Sequence, residues 1–327
     1  MGALYLSDAD VQQLLDVRAV LDVVEDTFRA AHAARVQWPE PRLFRLNLDR
    51  PTRAKYHVKA AGLPDLGVVG VRVVGYRIFD DDSGTSRDDN MRYVLLHDPE
   101  TGHPLAIVDE HTSYGVRSAA SGVVAARYLA RPESSTVGLV GAGKLMRSAL
   151  QALAALFPLR EVRVTSRTEA SREAFAGAFS QRWPEVRVVA VTSPTEAAAG
   201  ADIVMSATTA GCNLLFQRDF KAGAFVCGLG QHEVAPDAFT TFDKVVVDDW
   251  EQVRSLADFR QMAAAGQFDR SGLYAELPAV VAGEVPGRTT PEERILVRTE
   301  GLVSQDVAVS WWLYQQACAR GLGLRLP

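Results

Sequence analysis

The residues best placed to do chemistry stand in the run Thr136-Val-Gly-Leu-Val-Gly141-Ala142-Gly143-Lys144-Leu145. A short apolar strand leads into Gly-Ala-Gly, and the apolar period then turns helical through Leu145, Ala149, Leu150 and Leu153. This spacing predicts the first βα turn of a dinucleotide-binding fold. Gly141 makes the tight turn, Gly143 lets backbone approach a pyrophosphate, and the helix start beyond offers N–H groups and a positive dipole end. Met146 stands where a third glycine is usual, so the turn alone is a weak signal. Two later strand ends strengthen it. In Val164-Thr165-Ser166-Arg167-Thr168 no carboxylate occurs until Glu169, although this position commonly offers one to a ribose 2′-hydroxyl. Ser166, Arg167 and Thr168 suit a 2′-phosphate, which predicts NADP(H) over NAD(H); the alternative is that Arg167 covers the surface and Glu169 turns back to the ribose. Ala207, Thr208 and Thr209 fall where the nicotinamide half would pass and read as wall rather than catalyst.

Positioning these residues requires a parallel sheet. Strand-like runs recur at βα spacing through Glu161–Thr165, Val186–Val191, Asp202–Ala207, Ala224–Cys227 and Lys244–Val247. With the first strand they predict an α/β fold with a Rossmann-type, doubly wound parallel sheet. Before it come helices and a mostly antiparallel sheet. Ser7 caps a short helix, and a longer one carries Val17, Val20, Leu21, Val24, Phe28 and Ala31 on one face. Strands come next at Arg42–Leu46, Tyr56–Ala60 and Val69–Tyr76, then a hairpin of Tyr93–His97 with Leu105–Val108. Asp80–Asn90 is acidic and without apolar residues; it reads as a solvated loop, with a lid as the sharper alternative. An alanine-rich helix over Thr112–Leu129 leads into the nucleotide domain, and a last helix over Ser304–Arg320 returns to the first.

At 327 residues the chain has room for two full cores, and 47% hydrophobic with 23% charged residues is ordinary for a soluble globular protein. A net charge of −5 leaves no electrostatic footprint for nucleic acid or an anionic membrane. The start lacks the basic and apolar regions of a signal peptide and no apolar run reaches spanning length, so a cytoplasmic location is expected. Cys212, Cys227 and Cys318 are scattered without metal-ligand spacing and read as reduced core thiols, with no metal expected; Cys227, at a strand end, is the one to check for reactivity.

Taken in order, several short motifs form a pattern: an arginine strand at Arg42, a basic residue after Gly70-Val71 at Arg72, Arg117-Ser-Ala-Ala at a helix start, Gly-Ala-Gly two dozen residues on, and the ending Gly301-Leu-Val-Ser-Gln-Asp306-Val-Ala. The pattern resembles the ornithine cyclodeaminase/μ-crystallin family over most of the chain. The resemblance implies a dimerising α+β substrate domain built from both chain ends (1–125 with 295–327) beside a Rossmann domain (126–294). It also implies that Arg42 and Arg117 grip a substrate carboxylate, as paired guanidinium donors would. The family's catalytic lysine comes after Gly-Val, and here that position is Arg72, which can bind or polarise but is a poor acid–base group. Lys59, on the preceding strand, would supply an ammonium if the two strands pair. Cyclodeaminases carry an aspartate after the fifth strand; this chain runs Gly228-Leu-Gly230-Gln-His232-Glu233 with none in register. His232 is the replacement acid–base group of near-neutral pKa, and Gly230 lies at the nucleotide end. Glu233 is its partner or a structural match to a family glutamate.

These departures weaken a cyclodeaminase reading and favour simple hydride transfer. The expectation is an NAD(P)H-dependent oxidoreductase acting at the C–N bond of an α-imino or α-amino acid, with Arg42, Arg72 and Arg117 as carboxylate ligands and Lys59, Arg72 and His232 as the catalytic set. Three readings stand beside it: an opine-like N-(carboxyalkyl) amino-acid dehydrogenase, a cyclodeaminase-like ammonia lyase, and a crystallin-like binder without turnover. A homodimer is implied by the resemblance, with a small amino or imino acid as partner.

Overall fold

The computed structural model describes residues 2–48, 54–77 and 91–327, so the acidic stretch Asp80–Asn90 lies outside the described residues. The chain divides into two compact units, Met1–Arg117 with Leu302–Pro327, and Ser118–Gly301. The divisions fall at 117/118 and 301/302 rather than at the expected 125/126 and 294/295.

In the first unit, Ser7 opens the helix Asp8–Leu14 with a reciprocal cap: its hydroxyl accepts from Asp10 N–H at 3.3 Å and the Asp10 carboxylate accepts from Ser7 N–H at 3.0 Å. The helix Val17–His32 starts at Asp16 and buries Val20, Leu21, Val24 and Phe28, the stripe its 3.6-residue period predicts. Strands β1 (Leu4–Leu6), β2 (Phe44–Leu48), β3 (Ala54–Leu63), β4 (Val68–Arg77), β5 (Met91–His97) and β6 (Pro104–Asp109) join a C-terminal strand, Leu324–Arg325. Their order is C-terminal strand, β1, β6, β5, β4, β3, β2, antiparallel except between β1 and β6. Gly67, at φ +62°, closes the β3–β4 turn in a conformation that disfavours a Cβ.

Alternation gives this sheet one largely buried face, with Ala61, Leu63, Val68, Val74, Val94, Leu96, Ala106 and Val108. The closing helix Val303–Arg320 packs on it across β3, β4 and β5, so closely that a Cβ at Gly70 would collide with Val307. Arg72 and Arg92 also belong to this face. The opposite face carries Phe44, Leu46, Val58, Val71, Val73, Met91, Tyr93 and Leu95 by the same registers, half-buried or exposed.

The second unit holds an eight-stranded sheet of β7 (Thr136–Val140), β8 (Glu161–Thr165), β9 (Arg187–Ala190), β10 (Ile203–Ser206), β11 (Phe225–Gly228), β12 (Lys244–Val247), β13 (Ala275–Glu276) and β14 (Ile295–Arg298). The order is β13, β12, β14, β11, β10, β7, β8, β9, and every pair is parallel. Near-continuous apolar strands such as Ile203–Ser206 are buried throughout, as helices on both faces of a parallel sheet require. From β7 the chain winds outward through β8 and β9 and then crosses back to β10, so the topological switch lies between β7 and β10. Strand β14 was expected in the other domain. It enters between β11 and β12, so its four apolar-rich residues are buried on both sides, and this moves the boundary to 301. Among the described residues no helix is long and apolar enough to cross a membrane.

Candidate active site

One register row ends the second unit's sheet: Thr165, Val140, Ser206, Gly228, Arg298 and Val247 are partners across neighbouring strands. Just beyond this row stand Gly141, Ser166 and Ala207, three of the residues singled out in the sequence. Gly141, at φ +116°, donates its N–H to Thr165 O at 2.9 Å, and a Cβ would strike Ala207 O, so the switch point closes only around glycine. Gly143 begins the helix Lys144–Leu156 with no side-chain cap, and a Cβ there would meet open space. A helix start without a side-chain cap, reached through a glycine with open space around it, is a turn that could take a dinucleotide pyrophosphate. Met146, in place of the third glycine, is fully buried and packs beneath Gly141.

At the end of β8 the hydroxyls are already engaged. Ser166 Oγ donates to Thr168 O at 3.0 Å, and Thr168 Oγ1 caps the helix Glu169–Arg182 through Ser171 N–H. Arg167 is exposed, and Glu169 sits in the helix's first turn. A phosphate here would rest chiefly on Arg167.

After β10 and β11, Glu233 is 1% exposed and gathers the Thr208 and Gly230 N–H groups, the latter at 2.9 Å. Burial pushes its carboxyl up, against the hydroxyls and N–H groups of Ser206, Thr208 and Gly230. Glu233 thus joins the loops after β10 and β11, the structural alternative rather than an imidazole partner. His232 is half-buried with a left-handed backbone at φ +63°, and its N–H donates to Asp258 Oδ2 at 3.1 Å. The cysteines depart from expectation: Cys212 and Cys318 are exposed, while Cys227 is buried with its thiol pushed up to about 12 by burial, hence unreactive.

Asp248, just after β12, is fully buried and accepts from Glu300 N–H at 2.8 Å, Gly301 N–H at 2.5 Å and Asp249 N–H at 3.0 Å. Burial raises it from 3.8 to about 7 despite these donors and Arg298. A raised acid favours the folded state below its unfolded pKa and loses that contribution as pH climbs through about 7. Asp248→Asn is therefore expected to remove a decline of stability that runs from about pH 4 up to about pH 7 and levels off above it, about 1.4 kcal/mol per pH unit within that window. Melting curves of both chains from pH 5.5 to 8.5 check this; a constant gap between them contradicts it.

The first unit contains the charged cluster. Arg72 Nε donates to both Glu110 oxygens, at 2.7 and 2.8 Å, and lies 3.4 Å from Asp306 Oδ1. Arg117 pairs with the same Asp306 oxygen. Tyr114 presents its ring to three guanidiniums: Arg92 at 4.1 Å, Arg72 at 5.3 Å and Arg117 at 5.7 Å. All four charged partners, Arg72, Arg117, Glu110 and Asp306, are at most 7% exposed. Burial drives the Glu110 carboxyl up, with Asp306 adding to it while Arg72 and Arg117 oppose.

Lys59 stands directly opposite Arg72 in the β3–β4 register and shares its face of the sheet. Arg42 differs from expectation: it precedes β2, after a cis Glu40–Pro41 bond, and stacks over Trp38 at 4.9 Å. Sequence reasoning missed Glu110, Arg92 and Tyr114. Arg92 alternates with Val94 and Leu96 on the apolar face of β5, a charge at core period, and that was the available signal. Asp306 was quoted only as part of an ending motif.

The model of the ornithine cyclodeaminase/mu-crystallin family matches residues 2–321. N-((2S)-2-amino-2-carboxyethyl)-L-glutamate dehydrogenase of Staphylococcus aureus is 28% identical over 79% of this chain and 77% of its own length. The structure of Thermococcus litoralis Δ1-pyrroline-2-carboxylate reductase in complex with NADH and L-proline superposes with a TM-score of 0.91 at 25% identity, covering 99% of this chain and all of that one. An archaeal alanine dehydrogenase dimer with bound NAD gives a TM-score of 0.90 at 25% identity, covering 100% and 99% of the two chains. With a glycine turn at its switch point, an arginine cluster under its closing helix and a model match across nearly its whole length, the chain belongs to the ornithine cyclodeaminase/mu-crystallin family.

Proposed function

We propose that this protein is an NAD(P)H-dependent oxidoreductase that reduces the C=N bond of an α-imino acid, or oxidises the corresponding amine. The observation that carries the reading is the buried Arg72–Glu110–Asp306–Arg117 cluster, in a chain that also bears an uncapped glycine turn fitted to a pyrophosphate. The relatives described above act on amino or imino acids by their names, which supports the same class.

Gly141, Ala142, Gly143, Lys144 and Leu145 would hold the dinucleotide, with Ala207, Thr208, Thr209 and Gly230 around its far half and Ser166, Arg167 and Thr168 at the adenosine ribose. The reduced nicotinamide supplies the hydride. Arg117 binds the substrate carboxylate and is held by Asp306, and Arg72, fixed by Glu110, aligns beside it. Arg42 takes a second carboxylate where the substrate has one. His232 delivers the proton to nitrogen, the role a general acid–base imidazole performs. Lys59 adds an ammonium next to Arg72. Lys59→Met and His232→Asn separate the two roles: His232→Asn is expected to cause the larger loss of kcat, and the reverse order transfers the proton donor to Lys59.

The exposed Arg167 favours NADPH over NADH. Arg167→Ala is expected to weaken NADPH about tenfold and leave NADH unchanged, the size of one charge-assisted hydrogen bond. Fluorescence titration with both nucleotides checks this, and equal losses for the two would remove the preference. The exposed sheet face, with Phe44 at 55%, Leu46 at 42% and Met91 at 45% exposure, supports a homodimer formed through it. Phe44→Glu should then lower the mass in solution from dimer to monomer; a monomeric parent, or an unchanged dimer, contradicts the assignment.

The proposed activity is tested by mixing the protein with NADPH or NADH and cyclic imines, or with α-keto acid and amine pairs, and monitoring the nicotinamide absorbance. Substrate-dependent oxidation supports the reductase. A second reading, the opine-like dehydrogenase, is favoured by the number of arginines and by the Staphylococcus aureus relative; it predicts turnover only with a keto acid and an amino acid together.

A further inference from the structure

The loop after β11 is short, and charged side chains take its backbone groups at alternate residues. Gly228 O accepts from Arg298 Nη1 at 3.3 Å, Gly230 N–H donates to Glu233 Oε2 at 2.9 Å, and His232 N–H donates to Asp258 Oδ2 at 3.1 Å. Leu229 N–H is held by Ser206 O at 2.9 Å, and Glu233 also takes Thr208 N–H. Arg298 and Glu233 are 3% and 1% exposed. Arg298 keeps Nε and Nη2 without hydrogen-bond partners, with Asp258 Oδ2 4.0 Å from Nε and Glu300 Oε2 3.7 Å from Nη2. Asp258 Oδ1 accepts from its neighbour Phe259 N–H at 3.0 Å, which fixes the carboxylate.

At the end of this clamp, His232 has φ +63°, one of two described non-glycine residues with positive φ. Left-handed backbone costs a side-chain-bearing residue about 1 kcal/mol or more, and glycine would escape that cost. A loop needed only to join β11 to the next helix has no use for histidine here. The strain is sustained because the backbone is over-determined by partners on β14, on the loop itself and on the helix Ala257–Ala264.

We propose that Asp258 is a positioning residue for His232. Its carboxylate captures the His232 N–H, stabilises the left-handed turn and, backed by Arg298, fixes where the imidazole stands at the carboxyl edge of the sheet. Asp258 touches no reacting atom and acts through the histidine. The assignment rests on His232 being the proton donor of the proposed reaction.

The test is a double-mutant cycle on the full chain with Asp258→Ala, Asp258→Asn and His232→Asn. Asp258→Ala is expected to lower kcat about 10- to 100-fold, the cost of a misplaced catalytic group, with the KM for nucleotide unchanged. Asp258→Asn retains an acceptor oxygen and should recover most of the loss. In the His232→Asn background Asp258→Ala should cost nothing further, whereas equal costs in both backgrounds overturn the proposal. The imidazole signals of nitrogen-15-labelled protein supply a readout independent of turnover. The parent should show one sharp set of His232 imidazole resonances, and Asp258→Ala should broaden and displace them. An unmoved signal overturns the positioning role even if no imine is ever turned over, whereas absent turnover with a moved signal removes only the proposed reaction.

Discussion

Arg117→Lys is expected to fold, to bind dinucleotide as the parent does, and to lose about 100-fold or more in kcat/KM. The lysine keeps a positive charge against Asp306, so the buried carboxylate retains a counter-ion and the unit stays intact. It cannot offer two coplanar N–H donors to a substrate carboxylate. Losing that paired geometry removes about 3 kcal/mol of binding to the transition state. Steady-state rates with nucleotide titrations on the same preparation separate the two effects. A variant with parent-like kcat/KM would show that Arg117 serves Asp306 alone and that the substrate is held elsewhere.

The second large effect concerns stability. Glu110→Ala leaves the Arg72 guanidinium, itself 7% exposed, without its two-oxygen partner. Removing one member of a buried pair costs about 3–5 kcal/mol, because Asp306, 3.4 Å from Arg72 Nε and shared with Arg117, cannot replace both Glu110 oxygens. Pairing Glu110→Leu with Arg72→Met removes both charges at similar volume and is expected to recover most of that loss in urea unfolding. Activity should stay low in both chains if Arg72 aligns substrate. Full activity in the stable double variant would make the Arg72–Glu110 pair a structural element only, and a Glu110→Ala chain as stable as the parent would contradict the burial argument itself.

The fold was legible where period and composition agree. Buried parallel strands read as short apolar runs, and the Gly141–Gly143 turn marked the switch point, because each depends on local chain geometry. Strand β14 was not legible: Ile295–Arg298 comes after a weakly patterned stretch and is defined by its neighbours β11 and β12, which local sequence does not announce. Site residues divide in the same way. Lys59 could be placed on the strand before Arg72, within reach if the two strands pair, and the β3–β4 register sets it directly opposite. Glu110 and Asp306 lie 196 positions apart in sequence numbering, roughly three-fifths of the chain, and meet only because the closing helix returns to the first sheet. Arg42 lies two residues before β2 rather than on it. The role of Glu233 was decided by backbone donors from two separate loops, which no spacing rule encodes.

The most direct test traces the hydride itself. Protein incubated with nicotinamide nucleotide deuterated at C4, together with each candidate imine, is assayed by mass spectrometry and proton resonance of the product amino acid. Hydride transfer to the imine carbon predicts one deuterium on the α-carbon and none on the side chain, with an equivalent of oxidised nucleotide. Ammonia released from an amino acid with the label still on the nucleotide would contradict it and return the chain to the deaminase reading.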